Sequence, residues 1–392
     1  MQTTALVGTG LAACLLLAPV PPVHAAMAYH AMPLFSPNSY PGRYEFWPEA
    51  LNGKGDVVGT VQGTSLGYNA ALYSKGRWQD LGVVARDFHS MAVDINDRGQ
   101  VTGWAHPGLG AGIPYTHAFL YEDGRMQDLG SVGETASEAT ALNEKGEVTG
   151  HVTTYFSGRN AQEFFLYRQG RMTKLGHGRA YDINESGQIT GQAPSRAQRG
   201  QQHAFIYSDG RTQDLGALDG DYSTGHSIND SGQVTGAFGT EGESGRAFLY
   251  SDGRMQDLGP LVGDRSSGTA INNHGDIVGW SEQGSFLFTN GVVHRLESLI
   301  DPAVLAEWRT LRPLDINDAG QILMEGSTLS RQGALLLTRA EPAPGILLGA
   351  GLGMLGLLAA RSSRRQAPEL LGERPFARRA RHARRGVQHP TL

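Results

Sequence analysis

The sequence predicts an all-β fold, a β-propeller of about seven four-stranded blades, from three observations. A phrase ending in Asn-x-x-Gly returns seven times at a spacing of roughly 44 residues, which indicates one supersecondary unit repeated along the chain. A second phrase follows each copy, as in residues 203–216. The two ends of the array hold complementary fragments of a single unit, the seventh. The repeated asparagines are Asn52, Asn96, Asn143, Asn184, Asn229, Asn272 and Asn317.

Each unit is predicted to form two β-hairpins. In the first phrase, the alternating runs 180–184 and 188–191 flank a connection that contains Gly187, which is typical of a hairpin. In the second phrase, residues 247–250 and 255–258 flank another Gly-containing connection. Asn and Gly tolerate left-handed backbone angles, so we expect them to recur because these turns require them. Four short strands in about 44 residues are typical of a propeller blade.

The ends of the array indicate how the ring closes. The last copy contains residues 333–337 but lacks the strand that should follow them. Residues 29–34 form an orphan strand before the first copy. Joined, the two fragments complete a seventh blade and remove open sheet edges. The sequence therefore predicts a propeller over residues 26–340 that is closed by strands from both termini, with six or eight blades or a solenoid as alternatives.

Charge is distributed unevenly along the 392 residues. The formal net charge is −5, and the nine arginines and two glutamates after residue 360 contribute +7, which leaves the rest of the chain at −12. An acidic body is a poor partner for nucleic acid, whose backbone requires cationic neutralisation. The single cysteine, Cys14, lies in the first apolar segment, so a chain without that segment has no disulfide framework. We therefore expect no nucleic-acid partner and stability from core burial alone.

The N-terminus predicts export. Residues 5–20 are apolar, and the small residues around Ala25 and Ala26 form a cleavage site of the A-x-A kind. We therefore assign residues 1–25 as a signal peptide cleaved after Ala25. The sequence before Cys14 also resembles a lipoprotein box, which stays open as an alternative.

The C-terminus predicts a membrane segment. Residues 341–344 read Glu-Pro-Ala-Pro and precede the apolar run 345–360, and an arginine cluster closes that run. The cluster comprises Arg361, Arg364 and Arg365. This order over residues 341–365 resembles the PEP-CTERM sorting signal of exported bacterial proteins. The resemblance implies membrane anchoring and processing by an exosortase-type peptidase. The alternative is a plain anchor with a cytoplasmic arginine cluster. We expect residues 366–392 to form a basic, disordered tail.

The second phrase carries a further family resemblance. The sequences from His117 to Phe119 and from His203 to Phe205 resemble the bacterial extracellular HAF repeat, and the likeness covers residues 29–338. The resemblance implies an exported location and no established reaction or ligand. Within this chain the histidine position is variable, so we expect no ring of metal or catalytic histidines. It is occupied by Asn69, His117, Glu163, His203, Arg246, Gly284 and Gly333.

Segments that depart from the repeat are candidates for ligand binding, because function on a repeated scaffold usually lies in variable loops. Exposed aromatic faces with polar neighbours suit carbohydrate, and the alternative for each tryptophan is packing between blades. The candidate residues are Trp104, Tyr155, Phe156, Arg159, Trp280, Trp308 and Arg309.

Acidic residues recur two positions before the repeated asparagine. Asp94, Asp182 and Asp315 occupy this position, and on an innermost strand they would face the central channel. Oxygen ligands suit a hard cation such as calcium, so a channel-bound cation is one interpretation. The alternative is that each aspartate caps its own turn. We expect no other cofactor.

These observations predict an exported, surface-associated module without enzymatic activity. Nucleophile elbows, P-loops, dinucleotide fingerprints and Cys-based metal spacings are missing from the sequence. The expected ligand is an extracellular polysaccharide or a protein partner. The alternative is a carbohydrate-active hydrolase or lyase that uses acidic residues at one mouth of the propeller, with two carboxyls roughly 5–9.5 Å apart if it is a glycosidase.

Overall fold

A computed structural model describes residues 28–35, 46–62, 67–84, 89–106, 116–132, 135–156, 159–240, 242 and 245–340. The signal peptide with Ala25 and the C-terminal segment with Arg361, Arg364 and Arg365 lie outside the described residues. Among the residues that are described, no helix has the length and apolar character that a membrane span needs.

The described chain is built from short strands that follow one another in groups of four. The first strand is β1 (Tyr29–Leu34). Blade 1 contains β2 (Phe46–Leu51), β3 (Val57–Gln62), β4 (Tyr68–Ser74) and β5 (Arg77–Gly82). Blade 2 contains β6 (His89–Ile95), β7 (Val101–His106), β8 (His117–Glu122) and β9 (Arg125–Gly130). Blade 3 contains β10 (Ala136–Leu142), β11 (Val148–Phe156), β12 (Arg159–Arg168) and β13 (Arg171–His177).

The remaining blades repeat the pattern. Blade 4 contains β14 (Arg179–Ile183), β15 (Ile189–Pro194), β16 (Gln202–Ser208) and β17 (Arg211–Asp214). Blade 5 contains β18 (Tyr222–Ile228), β19 (Val234–Gly239), β20 (Arg246–Ser251) and β21 (Arg254–Asp257), and the short helix α1 (Gly259–Val262) follows it. Blade 6 contains β22 (Ser266–Ile271), β23 (Ile277–Ser281), β24 (Gly284–Thr289) and β25 (Val292–Arg295). A 3-10 turn (Leu296–Leu299) and helix α2 (Pro302–Leu305) precede blade 7, which contains β26 (Thr310–Ile316), β27 (Ile322–Ser327) and β28 (Gln332–Arg339).

Strand pairing confirms the predicted propeller and its closure. Five blades are separate four-stranded antiparallel sheets. Blades 4 and 5 are two such arrays that a single parallel pair, Gln202 with Tyr222, joins into one sheet. The fourth strand of blade 7 is β1, which runs antiparallel to β28 with Tyr29 opposite Arg339. The described chain therefore forms seven four-stranded units, and the last is completed by strands from both ends of the domain.

The first strands form the innermost layer of the ring. Each contacts the first strands of both neighbouring blades, around the whole circle. The Asn-x-x-Gly turns lie on one face of the ring, which we call the turn face. On the opposite face, the loop face, each first strand begins and each second strand ends. β1 begins and β28 ends on the turn face, since Tyr29 lies opposite Arg339. Beside this pair, the Ala340 amide donates a 2.8 Å hydrogen bond to the Ala28 carbonyl.

The repeated asparagines form a closed ring of hydrogen bonds. Each side-chain Nδ2 donates to the backbone carbonyl of the asparagine in the next blade at 2.9–3.2 Å, and Asn317 donates back to Asn52. Each Oδ1 accepts backbone N–H groups of its own turn, as Asn96 does from Arg98 and Gln100. The predicted turn role is confirmed, and the same side chains also link neighbouring blades.

Packing explains the other repeated residues. The phenylalanines of the second phrase are almost fully buried between blades, as expected of a core position. At Gly103 an added Cβ would lie 1.9 Å from the Met91 carbonyl oxygen, so the second strand needs glycine there. Every first strand contains a β-bulge, as between Ala92 and Asp94. A bulge bends a strand and increases its local twist.

Candidate functional site

The histidines of the second phrase pair within their own blades. His117 Nδ1 lies 3.0 Å from the Asp128 carboxylate across β8 and β9, and His203 makes the equivalent contact in blade 4. In blade 3 the two charges are exchanged, because Glu163 accepts from a lysine at 2.9 Å. In each of these blades the side chain at the histidine position pairs with an oppositely charged or hydrogen-bonding side chain on the fourth strand. The position therefore joins the third and fourth strands of its own blade.

The three inner aspartates are held by backbone amides. The residue before each repeated asparagine presents its amide to the blade–blade contact, and side-chain oxygens accept all seven of these amides. Asp94 accepts from Ile95 and Leu142, Asp182 from Ile183 and Ile228, Asp315 from Ile316 and Leu51, and Ser227 from Ile271. Each aspartate therefore bonds its own blade and the next one. Three aspartates and one serine thereby accept one backbone amide from each of the seven blades.

Burial raises the pKa of all three of these carboxyls. For Asp182 the value rises to about 6, and for Asp94 the charges of the other two aspartates add to the effect of burial. No group of three or more His, Cys, Asp or Glu side chains in the described part of the chain is arranged to hold a metal ion. The channel cation stays a prediction, while the observed bonds give the aspartates a structural role.

The turn face carries an acidic mouth of about 510 Å³, lined by the ring asparagines and the residues that follow them. Carboxylates here accept backbone amides of the preceding blade, as Glu144 does from Asp97 at 2.6 Å. Bonds of this kind, with Asn273 as the acceptor in blade 6, link neighbouring blades from blade 2 to blade 7 above the asparagines. The acidic residues of the mouth are Asp97, Glu144, Glu185, Asp230 and Asp318.

The predicted ligand-binding residues fall into different environments. Trp308 is only 8% exposed and stacks on Phe35 at 5.6 Å, so it packs in the core beside blade 7. Trp104 is half-buried, whereas Trp280 is 43% exposed, and both lie at the loop-face end of a second strand. Arg309 is exposed. The side chains of Tyr155, Phe156 and Arg159 lie outside the described part of the structure.

An aromatic cluster that the sequence did not indicate lies on the loop face of blades 1 and 2. Trp47 and Tyr68 make an edge-to-face contact at 5.3 Å, and Tyr68 lies 5.6 Å from the His89 ring. The Tyr68 amide donates to His89 Nδ1 at 3.1 Å, which fixes the relation between the two blades. Tyr68 is 39% exposed, so its ring is accessible to a ligand.

Two polar atoms beneath this cluster have no hydrogen-bond partner among the described residues. Thr60 lies opposite Trp47 in the β2–β3 register, and Gln62 lies opposite Tyr68 in the β3–β4 register. The four side chains therefore share one face of blade 1. Thr60 Oγ1 and Gln62 Oε1 are buried without a partner, and Thr60 is only 1% exposed. We call Trp47, Thr60, Gln62, Tyr68 and His89 the blade 1 site.

A pair of glutamates lies across the junction of blades 7 and 1. Glu49 is the bulged residue of β2, two positions after Trp47, and Glu325 lies on β27 of blade 7. Burial, together with the charge of Glu325, raises the pKa of Glu49 to about 7. A carboxyl with such a pKa can exist in both protonation states near neutral pH.

A smaller polar group lies on the loop face of blades 3 and 4. His151 is 8% exposed, and its Nε2 lies 3.4 Å from Glu138, while its buried Nδ1 has no partner among the described residues. Arg179 lies nearby and donates to Gln162 at 2.6 Å. His151 and Gln162 bound the deviant segment identified in the sequence.

Alignment of the seven copies contains the signal that would have found the blade 1 site. Thr60 and Glu325 occupy the repeat position that also holds Trp104 and Trp280. Glu49 is the acid among bulge residues that are otherwise uncharged or histidine. Those bulge residues are Glu49, Val93, Thr140, Tyr181, His226, Thr269 and Leu314.

Comparison with solved structures finds several that are similar to this chain. The β-propeller domain of the trilobed protease from Pyrococcus furiosus matches at 8% identity with a TM-score of 0.49, over 76% of this chain and 96% of that chain. An acylaminoacyl peptidase from Pyrococcus horikoshii matches at 10% identity with a TM-score of 0.48, over 78% and 54% respectively. TolB from Acinetobacter baumannii matches at 9% identity with a TM-score of 0.40, over 73% and 64%.

This chain therefore spans only part of the length of the peptidase and of TolB. A scan against protein-family models finds no match, and neither does a comparison with curated proteins.

Proposed function

We propose that the protein is a non-enzymatic binding module that holds an extracellular polysaccharide at the blade 1 site. The observation that carries this proposal is the buried hydroxyl of Thr60, which has no partner among the described residues and lies beneath accessible aromatic rings. An unpaired buried hydroxyl costs roughly 1–3 kcal/mol, so a folded chain that keeps one has a reason to do so. A ligand that supplies the missing hydrogen bond gives that reason.

Sugar rings match the chemistry of the blade 1 site. Their C–H faces are apolar and pack on aromatic rings such as Trp47 and Tyr68, while their hydroxyls both donate and accept hydrogen bonds. Ligand sites of this type combine aromatic walls with a few placed polar groups. Thr60 and Gln62 would supply those polar groups here.

A long polysaccharide is favoured over a short sugar because a second exposed aromatic lies on the same face. Trp280 of blade 6 is 43% exposed at the loop-face end of its strand. Two weak contacts on one polymer strengthen each other when the polymer spans both. We expect Trp280 to add affinity for polymers and little affinity for oligosaccharides.

The proposal includes an exported, surface-associated location. Residues 1–25 support export, and residues 341–365 support a membrane segment that an exosortase-type peptidase processes. Intact-mass analysis of the native protein tests this part. A chain that begins at Ala26 and ends before residue 366 is expected, and retention of residues 366–392 would contradict processing.

Binding is tested with the purified protein immobilised through its C-terminus and a panel of polysaccharides. We expect retention of at least one glycan, and loss of that retention in Trp47→Ala and Tyr68→Ala. Trp78→Ala is the matched control, because Trp78 packs on Phe46 and Tyr73 of blade 1. Equal loss in the control would mean that blade 1 packing, and not the site, controls binding. Retention of no glycan would favour a protein partner.

A second candidate function, a carbohydrate-active hydrolase or lyase, is favoured by Glu49 and Glu325 at the junction of blades 7 and 1. A carboxyl with a pKa near neutrality suits a general acid, and a second carboxylate nearby suits a nucleophile or base. Mass spectrometry of the incubated polysaccharides decides between the candidates. Shortened fragments that the wild type releases, and that Glu49→Gln and Glu325→Gln do not release, would contradict the binding-module proposal and support the enzyme.

A further inference from the structure

We infer that the blade 1 site selects glycans that donate hydrogen bonds and carry no acidic groups, and that it rejects polyuronates. This inference rests on the proposed function and names the ligand class of the same site. It follows from the kind of polar atom left unpaired and from the charges that surround it.

The unpaired atom of Gln62 is an acceptor. Its Oε1 is buried without a partner among the described residues, and a carbonyl oxygen can be satisfied only by a donor. Hydroxyl, N-acetyl and ammonium groups of sugars donate hydrogen bonds, whereas an ionised carboxylate only accepts them. A uronate carboxylate placed beside Gln62 would leave the acceptor unsatisfied and bring two acceptors into contact.

The neighbouring charges act in the same direction. Glu49 lies two positions after Trp47 on β2, and its negative charge, when it is ionised, disfavours another anion nearby. Arg312, opposite Glu325 in the β26–β27 register, is exposed, so solvent screens its charge. The chain before residue 361 also carries a net charge of −12, which repels a polyanion at longer range.

The test uses the full-length protein and three glucans of equal length on one backbone. The first is neutral, the second has an amino group in place of a hydroxyl on each ring, and the third has its primary hydroxyls oxidised to carboxylates. We expect the oxidised glucan to bind at least tenfold more weakly than the neutral one in dilute buffer. Added salt at about 0.5 M should reduce this difference, because it screens the charges.

Variants separate charge from hydrogen bonding. Glu49→Gln is expected to reduce the tenfold difference to about threefold, whereas Glu122→Gln on the turn face leaves it unchanged. Gln62→Met, which removes the acceptor with little change of size, is expected to weaken the neutral glucan about fivefold and to leave the oxidised one unaffected. Gln62→Glu is expected to increase the affinity for the amino glucan relative to that for the neutral one.

The outcomes distinguish failure of the selectivity from failure of the binding function. Equal or tighter binding of the oxidised glucan, with sensitivity to Trp47→Ala, would overturn the selectivity and keep the binding function. Failure of all three glucans, and of every other polysaccharide in the panel, would overturn the binding function and the selectivity with it. Ranking in the expected order, with the Glu49 and Gln62 effects, supports both.

Discussion

Replacing Thr60 by valine should make the free protein more stable and a weaker binder. Valine has nearly the shape of threonine, and Thr60 is only 1% exposed, so the substitution exchanges a buried hydroxyl for a methyl group with little change in packing. Because the Thr60 hydroxyl has no partner among the described residues, the exchange breaks no hydrogen bond between them. If the Thr60 hydroxyl stabilised the fold, the same substitution would lower the free energy of unfolding.

The expected gain follows from the cost of the unpaired hydroxyl. That cost is roughly 1–3 kcal/mol, and burying the new methyl group adds a fraction of the ~0.8 kcal/mol typical of one carbon. We therefore expect the free energy of unfolding to rise by about 1–3 kcal/mol. In a chain of this size, each kcal/mol corresponds to about 2 °C in Tm. Glycan affinity should fall about fivefold, which corresponds to one lost hydrogen bond of about 1 kcal/mol.

Thr102→Val in blade 2 is the matched control. Thr102 also lies on a second strand and is fully buried, but its Oγ1 donates to the Phe119 carbonyl at 2.7 Å. Its replacement should lower the free energy of unfolding by about 1 kcal/mol and leave glycan affinity unchanged. Urea unfolding followed by circular dichroism measures both variants, and titration with the best glycan of the panel measures affinity. If Thr60→Val loses stability as Thr102→Val does, the hydroxyl is structural and the reasoning behind the blade 1 site is refuted.

Three further predictions concern the ring. Asn272→Ala removes an acceptor of two turn amides and a donor to the next blade, so it should lower the free energy of unfolding in urea by about 3 kcal/mol. Replacement of the exposed neighbour, Asn273→Ala, should lower it by less than half as much. Asp182 has a pKa of about 6 against an ordinary 3.8, so its stabilisation is present below pH ~4 and is lost as the pH rises through ~6. Over that range, the free energy of unfolding of Asp182→Ser in urea should rise by up to about 3 kcal/mol relative to that of the wild type. A difference that stays constant with pH would contradict the raised pKa. Removal of residues 26–35 deletes β1 and should leave β28 as an open edge, which light scattering would detect as concentration-dependent association.

The sequence predicted those parts of the molecule that depend on local chemistry. Alternation of apolar residues and the Asn and Gly of tight turns identify strands and hairpins within a few residues, and repetition multiplies that signal sevenfold. The complementary ends of the array even predicted the pairing of β1 with β28. The cation interpretation of Asp94, Asp182 and Asp315 came from their residue type and repeat position. The amides that these residues bind belong partly to the next blade, a partner that the sequence does not indicate.

What the sequence determined by itself is therefore the repeated unit, the number of blades and the way in which the ring closes. The tertiary structure decided which side chains meet across blades. It joined the asparagines into a ring, buried Trp308 against Phe35, and brought Glu49 to Glu325 across the junction at which the chain closes. The physical reason is that backbone conformation depends on neighbours in sequence, whereas an unpaired hydroxyl or a shifted carboxyl depends on atoms that only the closed ring places beside it.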